Sequence, residues 1–113
     1  MDEHEGCAVL KRRFTAAGLS IQEHYPLREG AVTFHVDGFD PQRRVGYEYI
    51  TTAAGDRDEI TPELVAALEE RMGRAELFIL LIDEAEAPTE ETLIHAADHF
   101  LMVLRMRGHL EAS

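Results

Sequence analysis

Six consecutive apolar residues, Leu77-Phe78-Ile79-Leu80-Leu81-Ile82, constrain this chain more than any other feature. A strand with one wet face alternates apolar and polar residues. An unbroken run of this length suits a strand covered on both faces, as at the centre of an α/β sheet. It is far short of the roughly 20 residues that cross a bilayer. A helix precedes it. Thr61-Pro62-Glu63 offers an N-cap hydroxyl, a proline at the first helical position and an acid near the positive helix end. That helix is expected to run to about Met72 and stop at Gly73, with Leu64, Ala67, Leu68, Arg71 and Met72 inward. A strand before the helix and a strand after it make a parallel, right-handed crossover the default.

The strand before the helix is expected at Val45 to Thr52. Ahead of it Ala31 to Asp37 alternates, with Val32, Phe34 and Val36 on one face and Thr33, His35 and Asp37 on the other. Gly38 to Arg43 reads as the connection, with Asp40-Pro41 suited to a type I turn. A short first strand is expected between Leu19 and Tyr25, then a turn at Pro26 to Gly30. Ala53 to Ile60 is polar, contains Gly55 and reads as a loop. The first helix spans about Asp2 to Ala17 with Cys7, Leu10, Phe14 and Ala17 as its stripe, and Gly18 ends it. Pro88 and Thr89 start the last helix, which reaches about Arg107 or Gly108. Its apolar face is Leu93, Ala96, Ala97, Phe100, Leu101 and Leu104.

The order is therefore α-β-β-β-α-β-α: a small mixed sheet with a central hairpin and one parallel crossover, α/β or α+β in class. Residues 1–113 make a single domain, without repeats or linkers. The expected core includes Val32, Phe34, Val36, Tyr47, Tyr49, Leu68, Leu77, Ile79 and Phe100.

Net charge is −11, from 22 acidic and 11 basic residues. Such a surface repels phosphate backbones and anionic membranes and suits a basic partner. All basic residues except Lys11 are arginine. With frequent alanine, this suggests a GC-rich bacterial genome. The single cysteine, Cys7, fits a reducing compartment, and its place in the first stripe reads as a small buried hydrophobe. The acidic first residues are unlike a signal peptide, so the expected location is the cytoplasm.

One polar cluster stands out. A hairpin turn at Asp40 to Arg43 pairs Phe34 with Tyr49 and Val36 with Tyr47 on the core face. It also sets His35 opposite Glu48, with Asp37 further along the same face. An imidazole and two carboxylates so placed suit a divalent cation or acid–base work; an ordinary polar face with a His–Glu pair is the alternative. The arrangement depends on register, because a one-residue slip turns one strand over.

With Asp37 on the second strand and Glu48 on the third, the order αβββαβ resembles the core of the PD-(D/E)XK nuclease-like superfamily, over about residues 5 to 83. The resemblance implies that Asp37 and Glu48 bind Mg²⁺ and activate water for phosphodiester cleavage. In Glu48-Tyr49-Ile50 the position of the family's lysine holds Ile50, which implies a nuclease-like fold without activity.

The last helix adds a second feature. His95, His99, Met102 and Met106 recur at i, i+4, i+7 and i+11, away from the apolar face. Two histidines are half a metal site, while methionines on a wet face suit a partner surface. The sequence thus leads to a small acidic, non-enzymatic interaction or regulatory domain, binding a protein partner or its own copy through this stripe, with no resident cofactor. The alternatives are a metal-dependent nuclease-like hydrolase on Asp37 and Glu48, with His35 nearby, and a metal or small-ligand sensor.

Overall fold

The computed structural model describes residues 1–52 and 59–110. Most of the loop expected at 53–60 therefore lies outside the described residues. The elements are α1 (Glu3–Ala16), β1 (Gln22–Glu29), β2 (Val32–Asp40), β3 (Val45–Ile50), α2 (Pro62–Gly73), β4 (Phe78–Asp83) and α3 (Glu90–Met106). The expected order holds. The sheet runs β1-β2-β3-β4, antiparallel except for the parallel β3–β4 pair that α2 connects.

The helices begin where side chains satisfy their first free N–H groups. Asp2 accepts from Glu5 N, Thr61 from Leu64 N, and Thr89 and Thr92 cap one another reciprocally. No described helix is long and apolar enough to cross a membrane.

The sheet divides two cores. On one side α1 and α3 enclose Leu10, Phe14, Tyr47, Tyr49, Leu93, Ala97 and Leu101. On the other, α2 covers Val32, Phe34, Val36, Phe39, Leu64, Leu68, Leu77 and Ile79. The apolar run serves both, since Phe78, Leu80 and Ile82 join the first core and Ile79 and Leu81 the second. Double coverage was the right inference from that run, but β4 stands at the end of the sheet order, not at its centre.

Four further expectations change. β1 runs on through Pro26 to Glu29, where a turn was expected; an end strand tolerates proline because no strand among the described residues pairs with its outer side. β2 extends to Asp40, so Gly38-Phe39-Asp40 is strand and the turn begins at Pro41. This moves the β2–β3 register by two residues, to Gly38 opposite Tyr47 and Asp40 opposite Val45. Phe34 and Val36 pack under α2 while Tyr47 and Tyr49 pack under α1 and α3, because β2 slips its alternation between Val36 and Phe39. Finally, Phe100 is only partly buried, stacked on Phe14 at 6.0 Å between ring centroids.

The tyrosines lie close to backbone. A Cβ on Gly38 would sit 2.2 Å from Tyr47 Cζ, and one on Gly6 would sit 2.6 Å from the Tyr49 ring. Glycine at these two positions lets α1, β2 and β3 close around both rings.

Candidate functional site

Asp37 and Glu48 lie where β2 and β3 stop pairing. The β2–β3 ladder ends at Gly38–Tyr47, and beyond it the carboxylates stand in for backbone acceptors. Asp37 N–H donates to Glu48 Oε1 at 2.8 Å, and Tyr49 N–H donates to Asp37 Oδ2 at 2.8 Å. Asp37 is 8% exposed and Glu48 1%. Each carboxylate thus lies against the backbone of the other strand, a charge-assisted arrangement that holds the diverging strands together.

The local cause is a slip in alternation. Val36 and Phe39, three residues apart, both enter the core under α2. Between them, Gly38 faces the Tyr47 ring and Asp37 faces Cys7 on α1. β1 is irregular at the same level: His24 takes φ 51°, and both Glu23 and His24 line the groove beside α1.

The register shift separates the expected cluster. Asp37 and Glu48 come together, but His35 does not face Glu48. His35 is exposed, and its N–H and Nδ1 contact the Glu59 carboxylate at 3.2 and 3.0 Å. The imidazole therefore takes no part in the Asp37–Glu48 pair.

Two groups that sequence reasoning passed over join Asp37 instead. Cys7, expected as a plain hydrophobe, is partly buried with its sulfur facing carboxylates. Burial pushes the thiol's pKa far up, and Asp37, Glu3 and Glu48 push it further, so it is held protonated and is a poor nucleophile. Glu3, one turn earlier on α1, completes a trio whose donor atoms all lie within 4.8 Å of one another. The i, i+4 spacing of Glu3 and Cys7 was the available signal. Behind them the Tyr47 hydroxyl is buried with no hydrogen-bond partner among the described residues. Its pKa is raised by burial first, then by Cys7, Glu23 and Asp37. The trio opens onto a groove of about 730 Å³ between α1 and the β1–β2 strands.

Comparison with known proteins returns no match. No family model, no curated protein and no solved structure corresponds to the chain.

On α3 the stripe lies as spaced: His95, His99, Met102 and Met106 are all exposed. Met102 is 46% and Met106 78% exposed. Leu93, Ala97, Leu101 and Leu104, on the other side of the helix, are buried. Arg13 ties α3 to α1 by gripping Asp98 with two nitrogens, at 2.9 and 2.7 Å.

Proposed function

We propose that this chain is a small acidic, non-enzymatic interaction domain that associates with a second copy of itself through α3. The observation behind this reading is the exposed pair Met102 and Met106 on a helix whose other face already fills the core. Neither methionine belongs to either core. Methionine packs adaptably, and a two-fold pairing sets each stripe against its own copy. Sedimentation of the wild type at micromolar concentration is expected to give a dimer. Replacing both methionines, Met102→Glu with Met106→Glu, should leave a folded monomer. A monomeric wild type, or a variant as dimeric as wild type, would sink the idea.

A second reading has one observation in its favour. Asp37 and Glu48 are neighbours across β2 and β3, as a metal-dependent nuclease-like hydrolase would need. Against it, both carboxylates accept backbone N–H groups, Ile50 occupies the lysine position, and the surface repels nucleic acid. We expect no cleavage of DNA or RNA with Mg²⁺ or Mn²⁺. Cleavage abolished by Glu48→Ala in a folded variant would favour the hydrolase.

A further inference from the structure

We propose that Glu3, Cys7 and Asp37 form a binding site for a divalent cation of the zinc class, at the margin of the groove between α1 and the β1–β2 strands. The site is separate from the α3 stripe and does not depend on self-association.

Geometry supports it first. The Cys7 sulfur and one oxygen each from Glu3 and Asp37 lie within 4.8 Å of one another. Donors sharing one zinc ion, with bonds of about 2.0–2.3 Å, stand roughly 3.3–3.8 Å apart. A side-chain adjustment of about an ångström therefore brings all three to bonding distance. Two donors come from one face of α1 and the third from β2, so the ion would join two elements.

The Tyr47 hydroxyl is the second, independent observation. It is fully buried against Gly38, the residue after Asp37, with no partner among the described residues, and Cys7, Glu23 and Asp37 all act to raise its pKa. A hydroxyl buried without a partner is costly, and few survive in native proteins. A cation held by the trio, or a water on that cation, would give it one.

The donor set selects the ion. A sulfur ligand disfavours Mg²⁺ and Ca²⁺, and two carboxylates disfavour Cu(I). One sulfur and two oxygens suit the borderline Zn²⁺, for which Co²⁺ and Cd²⁺ are spectroscopic substitutes. Three protein ligands leave a fourth position, and the groove gives water or a small ligand access to it. The carboxylates that, after burial, help to keep the thiol protonated become ligands once a dication stands among them.

The test uses the reduced, metal-free full chain, titrated with Cd²⁺ and then Co²⁺. One equivalent should bind, with ultraviolet thiolate-to-metal charge transfer. Cys7→Ala should abolish that band, and Glu3→Gln should weaken binding by about tenfold or more. A His95→Ala, His99→Ala double variant should keep the band, and excess Mg²⁺ should not compete. In the unmodified chain, one equivalent of Zn²⁺ should displace the Cys7 proton into a weakly buffered solution and raise the thermal midpoint, measurements that need no variant to fold. No charge-transfer band at one equivalent of Cd²⁺, equal binding by Cys7→Ala, or neither proton release nor a raised midpoint with Zn²⁺ would each overturn the proposal.

Discussion

Phe14→Ala should destabilise the fold by about 3–5 kcal/mol in chemical denaturation. Phe14 is fully buried at the junction of three elements. It meets the Tyr47 ring edge-on at 5.0 Å and stacks on Phe100 at 6.0 Å. Truncation removes the contact between α1, β3 and α3 together. Phe100→Ala should cost less, about 1–3 kcal/mol, because Phe100 is only partly buried at the edge of the core. A Phe14 variant that loses under about 1 kcal/mol would mean that α1 does not seal this core.

Asp40→Ala should cost about 2–4 kcal/mol, since hydrogen bonds to a charged group contribute about 1.5–3 each and do not add fully. Its carboxylate is 1% exposed and accepts from Ser20 N, Gln42 N and Arg43 N at 2.9, 2.9 and 3.0 Å. It thereby fastens both the segment leading into β1 and the β2–β3 turn. Burial works to raise its pKa, but the donors from Arg43, Ser20 and Gln42 outweigh burial and hold it below the ordinary value. The unfolded chain binds this proton more readily, so the carboxylate's contribution is present above about pH 4 and fades as pH falls through the depressed value. Denaturation of wild type and Asp40→Asn across pH 7 to 2 should show the gap between them narrowing in acid. A constant gap would mean that the charge contributes nothing.

The element order was legible because its signals are local. Thr61-Pro62 and Thr89 mark helix starts, and the run at Leu77 marks a strand whatever surrounds it. Register was not legible, because Gly38 and Pro26 are turn residues by composition and strand residues by position. Gly38 is glycine because the Tyr47 ring occupies its Cβ space, and Pro26 is tolerated because β1 is an end strand of the sheet. Only tertiary contacts supply those reasons. The candidate site followed the same division. Asp37 and Glu48 could be picked out as strand carboxylates, but their partners depend on a register that the sequence leaves open. Cys7 fits the spacing of a core stripe yet lies at its margin, where one side meets carboxylates.

Glu29 shows what a partly buried charge does for assembly. Its carboxylate takes both terminal guanidinium nitrogens of Arg44 and one of Arg71, at 2.6 to 3.0 Å. Arg44 first, against burial, and then Arg71 hold its pKa down to about 2. One acid at the end of β1 thus locks that strand, the β2–β3 turn and α2 together.

The irregular course of β1 bears on what this molecule can become in a crowded solution. An outermost strand with a full row of free N–H and C=O groups is a template onto which further chains can polymerise as cross-β fibres. Here Pro26 removes one donor from that row, and the left-handed backbone at His24 takes the strand out of flat extension two residues earlier. Fibre growth by strand addition at this edge is obstructed by the backbone itself, whatever the charge on the surface around it.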